Sequence, residues 1–283
     1  MTNPPAIVAD SSRPALIGQL RHVWSALADL GGELSDEEWA SPTPCPGWSV
    51  AAQYAHVVGT ESMLLGRPNP EVPTPAETPA HVRNRIAETN EVWVDALAAT
   101  PRREVLAQLA EVTGERLKAL EAMTDADFDA PSWTPVGQAD YRRFMQIRVF
   151  DCWVHEQDVR DATGRPGGET GPVAEQAVDE LVRAAGFVVG KKAGATPGEG
   201  VRLVLGGPLS RRIDVEVGER ARVVEALADP PTVTVELTST AYCRLSCGRV
   251  APSDVLAGAL GGVRLSGDEA LGRRVVENLA FTI

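Results

Sequence analysis

Arg148-Val149-Phe150-Asp151-Cys152-Trp153-Val154-His155-Glu156-Gln157-Asp158 is the stretch on which the reading of this chain turns. It lies within residues 139–163, which read as one long helix closed by Gly164 and Pro166. Asp151 and His155 are four residues apart, so they share a helix face with Cβ atoms about 5–6 Å apart. A carboxylate and an imidazole so placed suit one divalent ion, and zinc is the ordinary ion for that donor pair. A solvated helix pair has the same spacing, so a third ligand from another helix is what would distinguish the two. The chain has four histidines, His22, His56, His81 and His155. His56, inside an earlier helix, is the best third ligand, whereas His22 and His81 read as surface residues. Three protein ligands leave a position for water or substrate, as catalytic zinc sites do.

Working outward, Leu16, Leu20, Val23, Leu27 and Leu30 recur at helical spacing over 13–30, and Gly31-Gly32 is expected to end that helix. Residues 41–48 carry three prolines and a glycine and are not helical. Ser49 then caps a helix over 49–65. Residues 68–79 form a proline-rich connection, helices follow over 80–99 and 103–123, and 125–137 reads as a loop. The first ten residues read as frayed. After Gly164 the character changes. One helix is expected over 173–189, then β-branched runs at 201–205, 213–217, 223–227 and 233–237 that suit antiparallel strands. Helices over 239–247 and 252–260, a strand at 263–265 and a helix over 268–279 complete the chain. The expectation is an all-α half, 1–168, and an α+β half, 169–283.

Composition narrows the function classes. The 283 residues suit one large domain or two ordinary ones, and 43% hydrophobic residues can bury real cores. A net charge of −12 disfavours general nucleic-acid binding. Only Lys118, Lys191 and Lys192 are lysines, a usage that suggests a GC-rich bacterial genome. Cys45, Cys152, Cys243 and Cys247 are too few and scattered for a secreted disulfide framework and read as buried small hydrophobes rather than reactive thiols. Neither a signal peptide nor an apolar stretch of about 20 residues is visible, so no membrane association is expected and the cytoplasm is the default location.

Two segments carry a resemblance. Cys45-Pro46-Gly47-Trp48-Ser49-Val50, followed by His56, and the 148–158 stretch resemble signatures of the mycothiol-dependent maleylpyruvate isomerase family, one of the DinB-like four-helix-bundle metalloenzymes. Their order and separation also match. The region from about Gly171 to Ile283 is similar to the α+β domain of that family, related to sterol carrier proteins. The resemblance covers nearly the whole chain. It implies a DinB-like four-helix bundle over 1–168, then a smaller α+β domain with an antiparallel sheet over 169–283. It implies His56, Asp151 and His155 as ligands of a divalent metal, zinc by donor type, with mycothiol as cosubstrate. A zinc-held thiolate would attack a small electrophile, giving S-transfer, or would isomerise a maleylpyruvate-like double bond by addition, rotation and loss. There is one departure. The isomerase that names the family is expected to carry glutamate where this chain has Asp151, one methylene shorter, which is compatible with metal binding but weighs against the isomerase reaction itself and keeps S-transfer as the other expected reaction.

Supporting residues have two readings each. Asp158 is either the acceptor of the free ring N–H of His155 or a solvent-facing carboxylate. Arg148 either binds a substrate carboxylate or pairs with a helix neighbour. Trp48 and Trp153 either wall the pocket or fill the core. Arg83 and Arg85 are candidates for the bundle mouth, with the inward-facing one undecided. Cys152 points about 100° away from Asp151 and is not expected to be a ligand. The C-terminal half is read as closing the site or aiding thiol recognition. Rival readings are a metal-hydroxide hydrolase of the same fold and a non-catalytic ligand-binding or regulatory protein, such as a lipid carrier. Thiol-dependent turnover separates the first rival, and bound metal the second.

Overall fold

The computed structural model describes residues 8–73 and 77–282. They form two compact units. The first is Asp10–Gly168. The second holds the chain from Glu169 onward, together with Val8 and Ala9. Expected fraying at 1–7 and part of the 68–79 connection (74–76) lie outside the described residues. Val8 and Ala9 are held rather than frayed, because their N–H groups donate to Asp179 Oδ2 at 2.9 and 2.7 Å.

The first unit is a bundle of four long helices: α1 (Arg13–Glu33), α3 (Val50–Leu64), α5 (Arg102–Ala122) and α7 (Tyr141–Thr163). Each packs on two others, α1 and α3 both meeting α5 and α7. Leu16, Leu20, Val23 and Leu27 are fully buried, and each such side chain stabilises the bundle by about 1.5–3 kcal/mol. Short α2 (Asp36–Ala40) starts with a capping box of Ser35 and Glu38. Ser49 caps α3 as expected, accepting from Ala52 N–H. The fifth sizeable helix, α4 (Arg85–Leu97), lies on α3 and buries none of its residues fully.

Helix α1 does not stop at Gly31-Gly32 but runs through both. Gly31 serves packing instead, because a Cβ there would fall 2.6 Å from Leu106 and 2.9 Å from the Tyr54 hydroxyl. Residues 125–137 are not a plain loop. They hold α6 (Asp125–Phe128) and the first strand of a hairpin, β1 (Pro131–Thr134) with β2 (Gly137–Asp140), registered Pro131↔Asp140 to Thr134↔Gly137. Proline at a strand's first position and beside the tip is compatible with a two-stranded ribbon.

In the second unit, α8 (Pro172–Arg183), α9 (Ala185–Phe187) and a π turn at Val188–Lys192 replace the single helix expected over 173–189. Gly186 and Gly190 press against Ala221, where a Cβ would meet its oxygen and its own Cβ at 2.7 Å, and the helix is interrupted along this approach. The sheet has five strands: β3 (Gly200–Gly206), β4 (Arg211–Val217), β5 (Ala221–Val224), β6 (Val233–Thr238) and β7 (Val263–Gly267). Their order is β5-β4-β3-β6-β7. The sheet is antiparallel-dominated, as expected: all pairings are antiparallel except β3 with β6, which is parallel (Leu203↔Val235). Val201, Leu203 and Leu205 alternate with less buried neighbours, as a one-sided sheet requires. Helices α9, α10 (Ser239–Ser246) and α12 (Glu269–Glu277) pack on these strands, and α11 (Pro252–Leu256) packs on α12. No helix among the described residues is long and apolar enough to cross a membrane.

Candidate metal centre

His56 projects from the middle of α3, and Asp151 and His155 from successive turns of α7, where the two helices pack together. One donor atom from each of the three lies within 4.8 Å of the others. His56 Nε2 is 3.0 Å from Asp151 Oδ2, and His155 Nε2 is 3.6 Å from Asp151 Oδ1. Ligands about 2.0–2.1 Å from a tetrahedral zinc are roughly 3.4 Å from one another, so a set whose donor atoms lie within 4.8 Å of one another can close on one ion. The rings meet edge to face at 4.6 Å. Both histidines are buried, whereas the Asp151 side chain keeps 30% of its surface. The accessible side of the centre is therefore the carboxylate's.

Charge is organised unevenly here. Burial pulls the His56 pKa down, against the attraction of Asp151, a shift toward the neutral ring that a metal ligand needs. Burial also opposes charge on His155, but Asp151 and Asp158 outweigh it and raise its pKa. Burial opposes charge on Asp151 as well, yet His56, Arg148 and His155 hold it far below the usual carboxylate range.

In the bundle, Gln53, Asp158 and Arg148 surround His155 and Asp151. His155 Nδ1 meets Gln53 Oε1 in a close contact, and Gln53 Nε2 donates to Thr43 Oγ1 at 2.7 Å. A ring whose Nδ1–H is so engaged turns its Nε2 lone pair toward Asp151. Asp158 is buried, not solvent-facing, but at 3.7 Å from Nδ1 it is the more distant neighbour. His56 Nδ1 is buried with no hydrogen-bond partner among the described residues. Arg148 is not free to take a substrate carboxylate. It donates to Asp151 Oδ2 from Nη1 at 2.5 Å and to Glu61 Oε1 from Nε and Nη2 at 3.0 and 2.7 Å. Glu61 in turn accepts from Arg116 Nε at 2.9 Å, and Arg116 Nη2 donates to the Tyr141 hydroxyl at 3.0 Å.

The two tryptophans divide between the two readings. Trp48 walls the site, its ring 5.2 Å from that of His56 and 5.6 Å from that of His155. Trp153 is core, its Nε1–H donated to Gly168 O at 2.7 Å. Glu91 Oε1 accepts from Trp48 Nε1 at 2.7 Å and lies 2.9 Å from His81 Nε2. His81 is thus part of the wall's support, not a free surface residue. Gly47, at φ 83°, is needed beneath it, since a Cβ there would overlap His81 Nδ1 at 2.3 Å. Arg83, just before α4, and Arg85, its first residue, are both exposed. His22 is exposed, as expected. Cys152 touches Arg148 and is no ligand; burial pushes its thiol up to about 12. Cys243 and Cys247 are buried, and Cys45 is half-buried.

Gln53, Glu61, Glu91, Thr43 and Arg116 are absent from the sequence reading. Two had a signal. Gln53 precedes His56 by three residues and so shares its helix face. Glu61 is the sole acidic residue of an otherwise uncharged α3, and a charge inside an apolar helix demands a partner. Glu91, Thr43 and Arg116 reach the site only through tertiary packing.

Comparison with known proteins agrees with this architecture. Residues 20–160 match the family model described as the mycothiol maleylpyruvate isomerase N-terminal domain. Uncharacterised proteins from two strains of Mycobacterium tuberculosis are 27% identical over 164 residues, 58% of this chain and 59% of each relative. The match thus spans about three fifths of those relatives' length. Two crystal structures of mycothiol-dependent maleylpyruvate isomerase share the fold, one of them of a histidine-to-alanine mutant. That mutant superposes with a TM-score of 0.55 at 17% identity, and the other with 0.53 at 19%; each comparison covers 90% of this chain and 93% of the other. Through residues 20–160, the chain belongs to the mycothiol maleylpyruvate isomerase N-terminal domain family.

Proposed function

We propose that this protein is a metal-dependent enzyme that delivers a low-molecular-weight thiol, mycothiol by family, to a small electrophilic substrate. The reaction is either cis–trans isomerisation of a maleylpyruvate-like compound or S-transfer. The convergence of His56, Asp151 and His155 at ligand spacing, with one side open, is the observation that carries this reading. These three residues would hold the ion, zinc by donor type. Bound there, it would lower the pKa of a thiol and favour thiolate at neutral pH.

The chain's own groups fit that task. Gln53 keeps His155 oriented with Nε2 inward. Trp48 lies over both imidazoles and excludes water from that side, which strengthens every charge interaction behind it. Arg148 offsets part of the Asp151 charge. Asp151, 30% exposed, is the ligand past which the thiol would reach the ion. The two units are read as a metal-binding bundle and a sterol-carrier-like domain that aids closure or thiol recognition.

The direct test is consumption of an electrophile by zinc-loaded protein with and without mycothiol. Turnover that requires the thiol is expected, and the product then separates isomerisation from S-transfer. Turnover of an ester or amide without any thiol would instead support hydrolysis and contradict this reading.

A further inference from the structure

We propose that Glu61 and Arg148 are positioning residues that restrict Asp151 to binding metal through one oxygen, Oδ1. The inference rests on the metal reading given above. The two oxygens of Asp151 have different surroundings. Oδ2 accepts from Arg148 Nη1 at 2.5 Å and lies 3.0 Å from His56 Nε2. Oδ1 lies 3.6 Å from His155 Nε2, near the separation of two ligands on one tetrahedral ion. An oxygen engaged by a guanidinium is a weaker donor to a cation, so Oδ1 is the one left for it.

Arg148 cannot swing away to release Oδ2. Its Nε and Nη2 grip Glu61 Oε1 at 3.0 and 2.7 Å, and Nη2 also touches Cys152 Sγ at 3.3 Å. Glu61 is fully buried and is fixed from the far side by Arg116. Buried arginine–glutamate–arginine clusters contribute little net stability and are often replaceable by apolar residues. This cluster ends on a candidate metal ligand, where holding one rotamer has a use. It also draws electron density from the carboxylate, leaving a bound ion more electron-poor.

Titration of Co2+ and Zn2+ into the full chain and into Glu61→Gln tests this. Glutamine is near-isosteric but lacks the charge that holds both arginines. The parent is expected to take up one Co2+ with the intense visible absorption of a four-coordinate site. The variant should bind about 10- to 100-fold more weakly. Its visible band should change in intensity and shape, because an Arg148 no longer anchored by Glu61 lets the Asp151 carboxylate shift its hold on the ion. Glu61→Asp, which restores the charge, should recover part of the parent spectrum. Should Glu61→Gln fail to fold by circular dichroism, Arg148→Lys takes its place. Lysine keeps the charge but cannot hold Glu61 and Asp151 together, and the same two changes are expected. A folded variant with parental affinity and spectrum would overturn the proposal and leave the cluster as packing. A parent that takes up neither ion would overturn the metal reading itself and this inference with it.

Discussion

Gln53 and His155 face each other across the seam of α3 and α7, amide oxygen against ring Nδ1, with Thr43 holding the amide's other end. This contact selects the tautomer that presents Nε2 to Asp151. Removing such an outer partner typically costs about 10- to 100-fold in metal affinity. Gln53→Leu is therefore expected to weaken zinc binding by that factor in a chelator competition, with the fold intact by circular dichroism. Unchanged affinity would mean that the contact does not orient the ring.

The link from Trp48 to Glu91 fixes the aromatic wall over both histidines. Trp48→Phe keeps a ring there but loses the N–H donated to a carboxylate. A loss of about 1–2 kcal/mol is expected in urea unfolding, and Trp48→Ala should lose more. A Phe variant as stable as the parent would show that the hydrogen bond has no net worth.

Gly47 combines a left-handed backbone with direct contact to His81. Gly47→Ala should destabilise by at least about 1–2 kcal/mol from the backbone alone. The steric part is separable, because His81→Ala vacates the space. The double variant should lose measurably less than the sum of the single variants. Simple additivity would contradict the contact.

Glu38 supplies the pH dependence that is simplest to assign. Arg165, followed by the Ser35 backbone N–H, depresses its pKa from the usual 4.5 to about 2. A carboxylate depressed on folding contributes stability that is present above the unfolded pKa and is lost as pH falls through the folded one. Glu38→Gln should thus melt below the parent at pH 7, and the gap should close as pH falls from about 4.5 to 2. A gap constant over that range would contradict the assignment.

Much of this architecture was legible in the chain because the signals were local. Spacing gave the long helix around Asp151, the four β-branched runs marked strands β3 to β6, and Ser49 marked the start of α3. The misreadings came where tertiary contact overrides local preference. Gly31 looks like a helix stop but makes room for Tyr54 and Leu106, and the single helix expected over 173–189 is divided into α8, α9 and a π turn where Gly186 and Gly190 meet Ala221. The hairpin at Pro131–Thr134 and Gly137–Asp140 was hidden by its prolines. Likewise, His56, Asp151 and His155 could be named from spacing and resemblance. Their supports, Gln53, Glu61, Arg116 and Glu91, come from other turns and helices and are identified only once the bundle is assembled. His81 read as surface for the same reason, since its partner Glu91 lies ten residues on.

The proposed function stands on His56, Asp151 and His155 holding a divalent metal. Elemental mass spectrometry of the untagged protein, beside the His56→Ala/His155→Ala variant, tests it most directly. Near-stoichiometric zinc or another divalent ion in the parent, lost in the variant, is the predicted result. A parent that remains metal-free after reconstitution with zinc would contradict the account.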